Sequence, residues 1–424
     1  MARPQVCPPG ARILTSQTLR AGPARPPQNS AALERRMAGV LCLDDFESQA
    51  RKRLPRAIFG YISGAAETNA SLQLNRDSFR DYAFVPNALV DVSKRSQEVT
   101  LFGKTYAAPI GMAPMGLSAL FAYRGDLVLA QAAARAGIPM IMSGSSLIRL
   151  EEVAQASKDA WFQAYLPGDP SQISALIARV ALAGFETLVV TVDTPVQANR
   201  ENNVRSGFST PLRPTLRLAW DGLTHARWLC GTFLRTLARH GMPHFENNYA
   251  TRGAPILSPN VLRDFSDRGH LTWDHLREIR RMWRGALVIK GILNKDDAVT
   301  ACRAGVDGII VSNHGGRQLD GSVAPLRVLP SIVDAARDIP VMIDSGVRRG
   351  TDVLKAIGLG ARMAFVGRPF AYAAAVAGEP GAAHGIKLLQ DEILRDMGLL
   401  GIHSLSQMGP ERLVPARPLP ASHL

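Results

Sequence analysis

Eight short apolar runs, each followed by a helical pattern, predict an α/β fold: a (β/α)8 barrel with an N-terminal helical cap and a long insertion after strand four. The runs cover residues 109–113, 139–142, 161–165, 187–192, 286–289, 308–311, 341–343 and 363–366. Helices between them close on Gly137, Gly184, Gly305 and Gly360, and glycine most readily takes the left-handed turn at a helix end. Polar, charged and glycine residues gather just past the ends of the runs. A closed barrel collects its chemistry there, which favours it over an open doubly wound sheet.

With 424 residues, 46% of them hydrophobic, the chain can build one large core or two ordinary ones. No apolar run reaches the roughly 18 residues of a spanning helix. Cys7, Cys42, Cys230 and Cys302 follow no metal-binding or redox spacing, so a reducing, cytoplasmic setting is expected. The net charge of +13 raises the question of nucleic acid. Residues 1–36 and 204–245 each carry +5, which leaves +3 for everything else. Neither segment shows a nucleic-acid motif, so no nucleic-acid partner is expected.

Residues 1–36 are rich in Pro, Arg, Ala and Ser, with no apolar core of a secretory signal. Their composition fits a transit peptide or a reading that begins upstream of the natural start. The expectation is a disordered basic extension or non-native start, with Met37 as the true beginning. The folded domain is expected over residues 37–408, followed by a C-terminal tail over 409–424. Asp44 and Asp45 offer an N-cap for a helix running towards Arg53. A further helical turn leads to Tyr61, and a lone tyrosine there is more often packing than chemistry.

The insertion spans about residues 194–271, a length that is usually functional or disordered in a compact domain. Its middle, residues 216–237, mixes Arg217, Arg227 and Arg235 with Trp220, Trp228 and Phe233. That suits an amphipathic helix on a membrane surface. A helix packed on a neighbouring subunit accounts for it equally well.

Each strand end contributes one chemical part. The first is followed by Pro114-Met115-Gly116, where the missing side chain lets the backbone approach a planar ligand. The second ends at Ser143, and the third carries Gln163 and Tyr165. The fourth carries Thr191 and Asp193, with Arg200 beyond. The fifth ends at Lys290, costly to bury without an anionic partner. The sixth opens on Ser312-Asn313-His314-Gly315-Gly316-Arg317-Gln318-Leu319-Asp320. The bland reading of that stretch is a strand-to-helix turn with a surface His and Arg. The seventh ends in Asp344-Ser345-Gly346-Val347-Arg348 and the eighth in Gly367-Arg368. Together these two supply backbone N–H groups and guanidinium forks for a phosphate.

The stretch Ser312 to Asp320 resembles the signature of the FMN-dependent L-2-hydroxy acid dehydrogenases and oxidases, a family of glycolate oxidase, L-lactate dehydrogenase and (S)-mandelate dehydrogenase type. The similarity runs from about residue 43 to about 406. It implies FMN as cofactor and no metal. It implies that Ser143, Gln163, Thr191, Lys290 and Ser312 hold the isoalloxazine and ribityl chain. Asp344, Ser345, Gly346, Arg348, Gly367 and Arg368 would hold the ribityl hydroxyls and the phosphate. Arg200 and Arg317 would grip the substrate carboxylate, and Tyr61 and Tyr165 would bond it or its hydroxyl. His314 would be the catalytic base and Asp193 its orienting carboxylate. Gly116 and Ser145 replace larger residues of glycolate oxidase-like members, which points away from glycolate.

The expected reaction is oxidation of L-lactate or a larger L-2-hydroxy acid, such as mandelate, to the 2-oxo acid. Electrons would pass to a quinone or similar acceptor. The expected state is a homo-oligomer (a tetramer), cytoplasmic or peripheral on the inner face of the cytoplasmic membrane. An oxidase that makes H2O2 from O2 and an inactive flavin-binding scaffold are the alternatives. On the residues alone, a phosphate-binding barrel isomerase also stays open.

Overall fold

Every apolar run forms a parallel strand, buried on both faces between the outer helices and the barrel interior. The strands are β1 Ile110–Met112, β2 Ile141–Ser143, β3 Trp161–Ala164, β4 Thr187–Thr191, β5 Ala286–Ile292, β6 Gly308–Val311, β7 Val341–Asp344 and β8 Ala364–Val366. They form one sheet in which β8 pairs with β1, and a bridge between Met112 and Met140 closes the ring. The helices that follow them are α1 Gly125–Arg135, α2 Leu150–Ala156, α3 Pro170–Leu182, α4 Trp273–Met282, α5 Lys295–Arg303, α6 Pro325–Ala335, α7 Gly350–Gly358 and α8 Arg368–Leu400. The last is two helices joined at Ala377 and Gly378. Gly137, Gly184, Gly305 and Gly360 all have positive φ, as helix-ending residues do.

The computed structural model describes residues 35, 37–258, 268–336 and 338–416. Residues 1–39 form one unit and residues 40–424 another. The extension expected over residues 1–36 lies, except for Arg35, outside the described residues, as do residues 417–424 of the expected tail.

Inward side chains of successive strands, Ile141, Trp161, Val189, Val288, Ile310, Met342 and Phe365, fill the barrel. A hairpin of Val99–Leu101 and Lys104–Tyr106 stoppers the N-terminal ends of the strands. Its Phe102 lies against Trp161, and a Cβ on Gly308 would come within 2.8 Å of the Phe102 ring. With that end plugged, only the C-terminal face can open to a ligand.

Four expectations need correction, the last of them in the insertion. The strand expected over residues 286–289 continues to Ile292 through a bulge at Gly291, where the register with β6 shifts. Residues 413–415, assigned above to a tail, form a strand antiparallel to Tyr82–Phe84, so folded structure continues past residue 408. Asp44 does not cap the helix Asp45–Arg53 with its side chain. Its carboxylate instead meets Arg76 at 2.5 Å and Arg348 at 3.2 Å, while Asp45 accepts from the Leu41 and Cys42 N–H groups.

The insertion is a string of short helices rather than one amphipathic helix. Glu201–Ser206 and Leu216–Thr224 precede Ala226–Trp228, a π-helical turn Leu229–Leu234, and Arg235–His240. Part of the side chains expected on a surface face inward. The Trp228 indole donates to the Leu120 carbonyl at 2.6 Å and stacks on Phe233. The Arg235 guanidinium covers the Tyr123 ring at 3.9 Å. On Leu216–Thr224, by contrast, Leu216, Trp220 and Leu223 are 92%, 69% and 62% exposed. Their spacing of four and three residues puts them on one helix face.

Asp126, near the start of α1, ties the loop after β1 to the loop after β2. Its buried carboxylate accepts from the hydroxyls of Ser118 and Ser146. Burial, opposed by those two bonds, raises its pKa to about 6. A carboxyl raised on folding keeps its proton where the unfolded chain has lost it. Its stability contribution is therefore full below the unfolded value and is lost as pH rises through about 6. Asp126→Asn cannot ionise, so the stability of wild type relative to the variant should fall by on the order of 2–3 kcal/mol between about pH 4 and 7. Urea unfolding at a series of pH values measures this. A difference that does not change with pH rules out the buried, titrating carboxyl.

Candidate active site

A cavity of about 570 Å³ opens at the C-terminal ends of the strands. Tyr61, Tyr165, Arg200, Lys290, His314 and Arg317 line it, together with Pro114, Met115 and Gly116 from the loop after β1. Asp344, Ser345, Gly346 and Arg348 border it after β7, and Gly367 and Arg368 after β8. Ser143, Gln163, Thr191, Asp193 and Ser312 stand just behind these residues; Ser312 and Asp193 hydrogen-bond to Lys290 and His314 of the lining, and Ser143 to Gln163. The structure thus brings together all the residues singled out from the sequence.

The imidazole of His314 lies between Asp193 and Tyr165. Its Nδ1 is 2.9 Å from Asp193 Oδ1, and Nε2 is 3.4 Å from the Tyr165 hydroxyl. An ionised carboxylate only accepts, so Nδ1 carries the proton and Nε2 keeps its lone pair. Burial lowers the His314 pKa, and Asp193 only partly offsets this, which favours the neutral ring that a base requires. Burial works against the Asp193 carboxylate, but His314 and Lys290 outweigh it and hold its pKa below the ordinary value. The Gly291 bulge makes this arrangement possible: a Cβ there would lie 2.8 Å from Asp193 Cβ, and its φ is +110°.

Three consecutive residues, His314, Gly315 and Gly316, have φ of 59°, 66° and 74°. Glycine suits the second and is required at the third. A Cβ on Gly315 would meet Arg368 Nη1 at 2.7 Å, and one on Gly316 would meet the Leu72 nitrogen at 2.6 Å. At His314 a non-glycine residue accepts the strain, as residues at working sites often do. Hydrogen bonds hold the turn from both sides. Ser312 Oγ accepts from the His314 N–H, and Ser345 Oγ accepts from the Gly315 N–H.

The cations are anchored by the cap. Arg317 Nη1 donates to the carbonyls of Tyr61 and Gly64, and Arg368 donates to those of Ile62, Gly64 and Gly315. Arg200 donates to the Arg317 carbonyl and to Gln318 Oε1. Each guanidinium has N–H groups left over for an anion. Burial, with Arg200 close by, brings Arg317 down to about 9, and burial brings Arg368 down to about 10; both stay charged at neutral pH. Crowded, buried cations are costly unless anions join them. Lys290 already has one. Its Nζ is 3.2 Å from Asp344 Oδ2 and 2.8 Å from Ser312 Oγ, so its charge is balanced within the protein.

Gln163 Nε2 and Thr191 Oγ1 are buried without a hydrogen-bond partner, while Gln163 Oε1 accepts from Ser143 and the Gly144 N–H. Such orphaned groups cost about 1–3 kcal/mol each, so they call for a polar guest over β3 and β4. Arg348 and Arg368, with the N–H groups around Gly346, suit a phosphate on the opposite side. A polar ring system carrying a phosphate, which is what FMN is, would satisfy both.

Several residues escaped the sequence reading. Asn75 and Asn313 exchange two amide hydrogen bonds of 2.8 and 2.7 Å. Asp320 accepts from the N–H groups of Thr68, Ala70 and Ser71 and from the Thr68 hydroxyl, clasping the cap to the loop after β6. Phe208, from the insertion, packs on Tyr61 at 4.6 Å between ring centres. Arg268 lies over Tyr165. Asn313 and Asp320 stood inside a signature string and could have been suspected there. The others depend on long-range returns of the chain that leave no local pattern.

The chain is similar to known proteins over most of its length. Residues 50–415 match the FMN-dependent dehydrogenase family. The (S)-mandelate dehydrogenase of Pseudomonas putida is 35% identical over 372 residues, 88% of this chain and 93% of the relative. An L-lactate dehydrogenase of Stenotrophomonas maltophilia is 39% identical over 379 residues, 87% of this chain and 97% of the relative. The crystal structure of the monotopic membrane protein (S)-mandelate dehydrogenase superposes with a TM-score of 0.84 at 34% identity, covering 89% of this chain and all (100%) of that one. Mandelate oxidase with benzoyl-formic acid gives 0.73 at 34% identity, over 88% of this chain and 98% of that one. The chain belongs to the FMN-dependent dehydrogenase family, a set of oxidoreductases acting on CH–OH donors.

Proposed function

We propose that this enzyme oxidises an L-2-hydroxy acid with an apolar side chain at least as large as that of lactate to the 2-oxo acid. The observation that carries this reading is His314, its Nδ1 held by Asp193, in one cavity with Arg200 and Arg317. Bound FMN supplies the two-electron acceptor. Arg200 and Arg317 hold the substrate carboxylate, which fixes the orientation of the carbon to be oxidised. Tyr61 and Tyr165 bond the carboxylate or the hydroxyl. The proton that leaves the substrate goes to Nε2 of His314, and Asp193 stabilises the resulting imidazolium.

The size of the substrate follows from the walls. Leu117, Phe121, Phe208 and Phe245 are buried side chains of the cavity. A Cβ on Gly116 would come within 3.3 Å of the Tyr61 hydroxyl, so the missing side chain leaves room beside it. An aryl or branched alkyl group fills that space better than the hydrogen of glycolate.

The electron acceptor we favour is a membrane quinone. Exposed Leu216, Trp220 and Leu223, with exposed Arg213, Arg217 and Arg227 nearby, suit an anionic bilayer surface. Among the described residues no helix is long and apolar enough to cross a membrane. The similarity to mandelate oxidase supports a second reading, in which oxygen takes the electrons. Mixing the substrate-reduced enzyme with air separates the two, since fast peroxide release belongs to the oxidase.

Three outcomes test this reading. His314→Ala should keep FMN but lose about 10²–10⁴-fold in the anaerobic rate of flavin bleaching by substrate; near-normal bleaching refutes the base. Removing the charge of Arg348 or Arg368 should weaken FMN about 10- to 100-fold and leave riboflavin affinity little changed. Equal losses for both flavins place the phosphate elsewhere. Finally, the native protein should sediment with anionic vesicles. Joint replacement of Leu216, Trp220 and Leu223 by Ser should free it without loss of reducible flavin. A native protein that ignores the vesicles, or an oligomer that dissociates on replacement, favours subunit packing instead.

A further inference from the structure

The insertion returns to the active site just before α4. Residues Arg268 to Leu271 form a turn in which the Leu271 N–H meets the Arg268 carbonyl at 3.2 Å. His270 Nε2 lies 2.8 Å from the Gly168 carbonyl and pins this turn to the loop after β3. Arg268 itself is 8% exposed and faces the cavity. Its guanidinium carbon lies 4.4 Å from the centre of the Tyr165 ring. The hydroxyl of that same ring is 3.4 Å from His314 Nε2, the atom that receives the substrate proton in the reading above.

We infer that Arg268 is a positioning residue for Tyr165: by covering the ring face it fixes the phenol and makes its O–H a stronger donor to the substrate oxygen. The inference rests on the functional reading of the site given above. A cation over an aromatic face is drawn to the electron-rich ring. It also stabilises negative charge building up on the phenol oxygen as the O–H bond polarises. Burial pushes the Tyr165 pKa up, and Arg268 is first among the groups opposing it; Lys290 and Arg200 act the same way and Asp193 the opposite way. A phenol buried without such a cation would donate less readily. Arg268 comes from the far end of the insertion, so that segment contributes to the chemistry as well as to the outer surface.

The test is a double-mutant cycle read by anaerobic stopped-flow flavin reduction, which separates the limiting rate from substrate affinity. Arg268→Met keeps the bulk of the side chain and removes its charge. It should lower the limiting rate about 3- to 30-fold with little change in substrate affinity. Arg268→Lys should recover most of the rate, because the charge over the ring is retained. In a Tyr165→Phe background, Arg268→Met should have no further effect. Three results overturn the inference: a wild-type rate in Arg268→Met, the same loss with and without the Tyr165 hydroxyl, or a loss confined to substrate affinity. FMN content and circular dichroism identify a variant that has misfolded; in that case Arg268→Gln and Arg268→Lys carry the comparison. If no L-2-hydroxy acid bleaches the wild-type flavin, the functional reading itself fails. If Tyr165→Phe alone leaves the rate unchanged, the role given to Tyr165 fails and the inference with it.

Discussion

The left-handed turn at residues 314–316 is the constraint on which the site depends. Three consecutive residues of positive φ do not hold that conformation by local preference alone. It persists because its surroundings determine it from every side. Ser312 and Ser345 hold its N–H groups, and Asn313 is locked to Asn75. Leu72 leaves no room at Gly316 for a side chain. The result is an imidazole aimed across the cavity, with one nitrogen committed to Asp193 and the other available.

The second requirement is electrostatic. The barrel mouth gathers arginines from the loops after β4, β6, β7 and β8, and it pairs few of them with carboxylates. Lys290, on β5, is balanced by Asp344. Arg348 leans outward to Asp44, which also meets Arg76. Such a site is under-compensated until a phosphate and a carboxylate arrive. Those are the two anions that FMN and a 2-hydroxy acid bring. In the function proposed above, affinity for them would come largely from relief of repulsion already present in the protein.

Much of this was legible in the sequence because barrels write their strands as apolar runs and their chemistry just after them. Each of the eight runs became a strand, and the glycines at 137, 184, 305 and 360 ended helices as expected. What stayed hidden depended on partners distant in the chain. Asp44 carries every mark of a helix cap, but Arg76 and, about 300 residues away, Arg348 compete for its carboxylate. Gly291 looks like an ordinary residue after a strand until Asp193 is seen to occupy the space of its missing side chain. Trp228 and Phe233 share the composition of Leu216 and Trp220, but only the fold tells which pair faces the barrel. Residues 413–415 are too short a run to predict as a strand without knowing that Tyr82–Phe84 offers them an open edge.

One oxygen atom joins the two halves of the mouth. The Gly64 carbonyl accepts from Arg317 at 2.9 Å and from Arg368 at 2.8 Å. In the function proposed above, one of these guanidiniums faces the substrate carboxylate and the other the phosphate of FMN. A shift of either one towards its anion would move the oxygen on which the other rests. The two binding events would then be thermodynamically linked, with the same coupling free energy whichever ligand binds first. The linkage would run through a single peptide group at Gly64, just past the helix Arg56–Ser63 and outside the barrel altogether.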